Sequence, residues 1–200
     1  MKPESCKGII PDTPQETLSW RSATGQDYRD EVWDGVYHVV ADKLPKQVVL
    51  ENELECWLLT QWIAKTGGCL FRDTRIAQVQ NWQIDFRVPS FSLYVDLPEG
   101  AYLDQRLSVP PDVVVEYSSV DHLGMDKIDF YCHMGVKEVW VIDVYSGVCV
   151  ITCCNQKKMS PAIDNAVAPV VSQVTGIQIQ TDKGRPGFSW VPGLQRSKPR

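Results

Sequence analysis

Residues 110–143, PPDVVVEYSSVDHLGMDKIDFYCHMGVKEVWVID, constrain the fold more than any other part of the chain. Pro110 and Pro111 block a helix and mark a strand start, and Val113, Val114 and Val115 form a β-branched run suited to a buried strand. Asp121 is placed to cap a helix whose spacing runs over 125–134. Gly135 stands where a left-handed terminating residue belongs, and 136–143 read as a second apolar strand ending in an acid. A helix between two buried strands predicts a crossover unit in an α/β sheet. Glu116 follows directly on the first apolar run, where a carboxylate is costly unless a positive group meets it. Lys127 lies early in the helix, so the two make a candidate site. Taken singly, each has an ordinary reading: Glu116 as a structural carboxylate in an ion pair, Lys127 as a solvated helix lysine.

The rest of the chain fills in around this unit. Residues 1–26 form a proline-containing arm with one short helical turn after Thr17. Residues 31–40 place β-formers on both sides of Asp34-Gly35, the dipeptide of a tight hairpin turn. Over 46–65, Leu50, Leu54, Trp57, Leu58 and Trp62 recur at three- and four-residue intervals until Gly67-Gly68, which predicts a core-packing helix. Strands are expected over 69–79 and 81–95, a polar loop over 96–109, and an edge strand over 148–153. The chain reads as one domain, its core over 27–154 and a C-terminal extension over 155–200 packed on it, ending in the basic residues Arg196, Lys198 and Arg200.

Composition narrows the function classes. A formal net charge of -5 argues against binding nucleic acid over the whole surface, though it leaves room for a local basic groove. Seven irregularly spaced cysteines favour reduced thiols in a cytoplasm over a disulfide framework. No apolar run approaches the length of a membrane span. The scattered histidines and Cys149, Cys153 and Cys154 lack zinc-site spacing, and neither a phosphate-binding glycine loop nor a Gly-x-Ser-x-Gly elbow is present. Tyr131 and Trp140 read as packing residues. Lys43, Lys46, Arg72, Arg75, Arg87 and Arg106 are the cations that could meet a nucleic-acid backbone.

Acids at strand ends with a lysine nearby suit metal-assisted phosphodiester hydrolysis. Two or three carboxylates hold a hard cation such as Mg²⁺ and leave positions for water and phosphate oxygen, while a lysine adds positive charge. The ordered series Pro110-Pro111-Asp112-Val113-Val114-Val115-Glu116, Ser119, Lys127, Tyr131, Gly135-Val136, Glu138, Trp140 and Asp143 resembles the Uma-type restriction endonuclease family, within the PD-(D/E)XK nuclease superfamily. Glu31 with Asp34-Gly35 is similar to that family's N-terminal hairpin, and Arg87-Val88-Pro89-Ser90 to its Arg-x-Pro-Asp segment. The resemblance covers about 27–152 and implies a restriction-endonuclease-like α/β core, a central mixed sheet flanked by helices. It implies Mg²⁺ or Mn²⁺ as cofactor, DNA as partner, and a homodimer to supply two centres for double-strand cleavage. It also implies roles: Glu116 as metal-binding acid, Lys127 as the catalytic lysine migrated from position 118, Glu31 as an accessory acid, and Arg87 and Arg72 on the substrate. Position 90 should carry the aspartate that is the second metal ligand, and here it is Ser90, a neutral hydroxyl. Two expectations follow, a metal-dependent DNA endonuclease weakened at one ligand, or a catalytically inactive relative that binds DNA or a protein partner. A nuclease acting on RNA is a more remote third.

Overall fold

The computed structural model describes residues 15–78, 80, 84–103, 106–118, 127–154, 163–164 and 168–191. An N-terminal helix (Gln15–Thr24) precedes a hairpin of β1 (Glu31–Trp33) and β2 (Val36–His38). Its turn is made by Asp34 and Gly35, both at positive φ (48° and 83°), the geometry a two-residue hairpin demands. The long helix starts at Pro45, runs as an α-helix over Pro45–Trp57, widens into a π-helical stretch over Leu58–Ile63 and closes with Ala64–Thr66. Gly67, at φ 78°, ends it as expected. The short strands β3 (Cys69–Arg72), β4 (Arg75–Ala77), β5 (Phe86–Arg87), β6 (Phe91–Tyr94), β7 (Tyr102–Leu103) and β8 (Arg106–Leu107) come next. The crossover is β9 (Val113–Ser118), a helix (Ile128–Met134) and β10 (Glu138–Asp143), followed by β11 (Cys149–Cys153) and β12 (Ile163–Asp164). The chain closes with β13 (Val170–Val171), β14 (Ile177–Asp182) and β15 (Arg185–Trp190).

Among the described residues the central sheet has the order β12-β11-β10-β9-β6-β3. It is mixed: β9 and β10 run parallel, with Val115 opposite Trp140 and Glu116 opposite Val141, and the other pairs are antiparallel. Every residue of β9 is buried, because helices cover both faces. Val113, Val115 and Tyr117 face the long helix with Leu50, Leu54, Leu58 and Trp62, while Val114 faces the crossover helix with Ile128 and Tyr131. Glu116 has the parity of Val114 and is carried to the crossover-helix side.

The long helix solves a periodicity problem. Leu50, Leu54, Leu58 and Trp62 are all 1 % exposed or less and recur every four residues, a spacing that drifts by about 40° per step around an α-helix. The π-helical stretch, closing i to i+5, spreads the turn at Leu58–Ile63 and returns Trp62 to the core.

Several sequence expectations are revised. The predicted strand over 69–79 breaks at Asp73, which takes φ 46°, so β3 joins the central sheet and β4 a second one of order β2-β1-β5-β4-β8-β7. The polar stretch 96–109 carries β7 and β8 rather than a plain loop. Cys132 and Cys154, expected as thiols, are joined in a disulfide, because Cys154 donates its backbone N–H to Lys137 O at 2.8 Å and is thereby turned back against the crossover helix. Among the described residues, Cys56, Cys69, Cys149 and Cys153 keep their thiols. Asp121, the start of the helix expected over 125–134, and the basic tail lie outside the described residues. No helix among the described residues is long and apolar enough to cross a membrane.

Gly68 shows how closely the long helix and central sheet approach. A Cβ there would lie 2.5 Å from the Trp62 ring and 2.8 Å from Tyr94 O. Gly68→Ala is expected to cost about 1–3 kcal/mol through this overpacking, measured by urea denaturation. A variant as stable as the wild type would show that the helix end can shift freely.

Candidate functional site

Three chain segments meet at one ammonium group. Lys127 Nζ, just ahead of the crossover helix, donates to Glu31 Oε1 at 2.7 Å and to Glu116 Oε1 at 3.1 Å. Glu31 comes from the first residue of β1, Glu116 from the middle of β9, and both are buried, as is Lys127. The remaining contacts fix the carboxylates. Glu31 Oε1 also accepts Val88 N–H at 2.8 Å, and its Oε2 accepts the Trp33 indole N–H at 2.7 Å. Tyr131, one helical turn beyond Lys127, donates its hydroxyl to Glu116 Oε1 in a short hydrogen bond.

The electrostatics follow from burial. Burial pushes the Glu116 carboxyl up from its ordinary value, opposed by Lys127, and the nearby Glu31 pushes it further up. Burial alone would pull Lys127 down, but Glu116 and Glu31 outweigh it, so the ammonium is held charged. Tyr131 is pushed well above the ordinary phenol value, chiefly by burial and then by Glu116, and so remains a donor.

A wall of stacked rings stands beside this centre. The Arg87 guanidinium lies between Trp33 (4.6 Å) and Phe130 (4.2 Å), and His38 stacks on the other side of Trp33 at 4.2 Å. Burial pulls the His38 imidazole below its ordinary value, and Arg87 and Lys127 add to that against the upward pull of Glu31. Arg87 is 5 % exposed and is held by Asp85 Oδ1 at 2.7 Å and Val32 O at 2.8 Å.

Ser90 belongs to a different cluster. Phe91 pairs with Val115, so the ladder ends with Ser90 at the level of Glu116. Its hydroxyl, however, is donated to Glu51 Oε1 at 3.0 Å, on the long helix. Glu51 also takes Lys43 Nζ at 2.5 Å, Gln47 Nε2 at 2.8 Å and Arg72 Nη2 at 3.1 Å. Arg72 reaches Glu55 as well, and Lys43 bonds Asp73 at 2.8 Å. Glu116 and Lys127 therefore meet, joined by Glu31, while Ser90 is turned toward Glu51. Arg72 and Arg87, expected on a DNA backbone, are each engaged by internal acids. Tyr131 and Trp33 were read from sequence as packing and hairpin residues. The i, i+4 spacing from Lys127 was the available signal for Tyr131, and nothing local marked Trp33 as a donor to Glu31.

The donor chemistry fits a hard dication in a restricted sense. Mg²⁺ is commonly held by one or two carboxylates, with waters and substrate phosphate completing its shell, and Glu31 and Glu116 are two carboxylates already converging on one cation. No group of three or more His, Cys, Asp or Glu among the described residues is placed to hold a metal ion. Ser90 adds no charge.

A mixed sheet covered by helices, with two acids and a lysine meeting where β9 enters the crossover, defines a restriction-endonuclease-like α/β protein. The chain matches the Uma2 family, putative restriction endonucleases, over residues 14–179, and it belongs to that family. A solved structure of a putative nuclease of the DUF820 group from Anabaena variabilis is similar in fold, with a TM-score of 0.55 and 16% identity over 73% of this chain and 83% of that one. No curated protein matches.

Lys127→Met removes the shared cation and leaves two buried carboxylates facing each other, at an expected cost of about 3–5 kcal/mol at pH 7.5. Burial and Glu31 would then raise Glu116 against the Tyr131 hydrogen bond alone. A carboxyl raised in the folded state opposes folding above its unfolded value, near 4.5, and that opposition fades as pH falls through the folded value. The variant should therefore recover much of the loss in urea melts at pH 5. Equal losses at both pH values would show that the lysine contributes packing rather than charge.

Proposed function

We propose that this protein is a metal-dependent DNA endonuclease whose centre is Glu116, Glu31 and Lys127, weakened by the serine at position 90. The observation that carries the reading is the meeting of both carboxylates on the Lys127 ammonium. Membership of a restriction endonuclease family supports phosphodiester hydrolysis as the chemistry and DNA as the substrate.

Glu31 and Glu116 would hold Mg²⁺ or Mn²⁺, which when bound supplies Lewis acidity and a bound water of lowered pKa. The other steps belong to the chain itself. Lys127, kept protonated by its two acids, places fixed positive charge where a phosphate would gather negative charge. Tyr131 and Trp33 hold Glu116 and Glu31 in orientation through one hydrogen bond each. Burial lowers the local dielectric and strengthens these interactions. Arg72, with 30% of its side chain exposed, offers a DNA phosphate a more reachable cation than Arg87 does. The proposed setting is the cytoplasm, with two copies supplying the two centres that double-strand cleavage needs.

A second reading is favoured by one contact. The Ser90 hydroxyl is committed to Glu51, so the usual ligand position is neutral and turned away. On that reading the protein is a non-catalytic member of the family that binds DNA or a protein partner. Plasmid nicking with Mg²⁺ or Mn²⁺ separates the two. The endonuclease reading expects slow nicking by the wild type, abolished in Glu116→Gln and raised at least tenfold in Ser90→Asp. A silent wild type with an active Ser90→Asp supports the second reading. Silence in both, with Ser90→Asp folded and its melting temperature unmoved by Mn²⁺, would sink the nuclease assignment.

A further inference from the structure

The crossover helix that presents Tyr131 and follows Lys127 is only seven residues long. A helix of that length is not self-supporting, and its position depends on what anchors it. Tyr131 and Ile128 supply anchorage on the sheet side through burial, and Gly135 at φ 94° turns the chain immediately after. Phe130 and Met134 pack against the same cluster, and a further anchor is covalent. Cys132, next to Tyr131, is bonded to Cys154, just past the end of β11, across a sequence separation of 22. Both cysteines are partly buried and pack against the apolar cluster of Val114, Ile128, Tyr131, Val139 and Val141. The bond therefore ties the helix bearing the Glu116 hydrogen-bond donor to the sheet that bears Glu116.

We propose that the Cys132–Cys154 disulfide is a redox-sensitive staple that holds the crossover helix, and with it Tyr131 and Lys127, in register with Glu116 and Glu31. It rests on the nuclease reading only for what it would regulate. A dithiol reductant supplies two electrons and two protons. The Cys132–Cys154 bond breaks, each cysteine becomes a thiol, and the reductant closes to its own disulfide. With the tether gone, the helix keeps the buried Ile128 and Tyr131, the partly buried Phe130 and Met134, and the polar contacts of its centre. Oxidation by a small disulfide reverses the exchange. The expectation of thiols in a reducing cytoplasm then becomes informative, since the reduced and loosened form would be the resting state and oxidation would set the centre.

The test does not use DNA cleavage. Amide hydrogen exchange of residues 127–134 is followed by mass spectrometry on the full chain, after treatment with oxidised glutathione or with dithiothreitol. Reduction should speed exchange of this segment at least tenfold and leave the long helix over 45–66 unchanged. It should lower the melting temperature by about 5–10 °C, as expected for opening a loop of this size in a protein of this length. Cys132→Ser and Cys154→Ser should each resemble the reduced wild type and ignore the reductant, whereas Cys153→Ser should respond as the wild type does. The proposal is overturned if residues 127–134 exchange alike in both states, if the serine variants still respond, or if oxidised glutathione leaves Cys132 and Cys154 unlinked in the peptide map.

Discussion

A carboxylate on a strand that is buried on both faces has to find its counter-charge inside the protein. β9 is such a strand, and Glu116 meets that constraint with Lys127, which reaches Glu31 as well. The arrangement draws the hairpin to the sheet, because Glu31 can share the ammonium only if β1 lies against the entry to the crossover. Val88 and Trp33 then complete the Glu31 carboxylate, and Arg87 fills the space between Trp33 and Phe130. The second sheet, made of strands of two and three residues, is held in place at this corner by polar contacts as much as by its ladder.

Two electrostatic centres sit close together and are kept apart by hydrogen bonding. One is the acid–lysine centre. The other gathers Glu51, Glu55, Asp73, Lys43 and Arg72 around the start of the long helix. Ser90 stands between them in sequence logic, since its strand position belongs with Glu116 while its hydroxyl serves Glu51. The Ser90 hydroxyl donates to the fully buried Glu51, which an ionised carboxylate at 90 could not do, so the serine avoids a like-charge contact there.

The parts of the fold legible in the sequence are those with strong local signals. The valine run with its prolines, Gly135, the Asp34-Gly35 turn and the four-residue apolar repeat ending at Gly67 each state a backbone geometry within a few residues. Strands of two residues carry no period of their own, so β7 and β8 stayed hidden in a stretch read as loop, and the break at Asp73 depends on which sheet each half joins. In the site, Glu116 was legible as an acid in an apolar run and Lys127 as a lysine early in the helix that follows, while Glu31 gained meaning only through the family pattern. Tyr131 looked like core because it is core, and its hydroxyl contact needs the fold. The Glu51 cluster and the Cys132–Cys154 bond join residues from separate elements, a relation that spacing along one chain does not express.

The acid–lysine centre also has a history within each folding event. Glu31 and Lys127 are 96 residues apart, and closing so long a loop has to precede any reward from the contact. During synthesis both acids leave the ribosome before the lysine does. Until Lys127 emerges, Glu116 has no internal cation, and packing β9 between its helices would bury an unmatched charge. The last step that lets the sheet close is thus the arrival of the one lysine on which both acids converge.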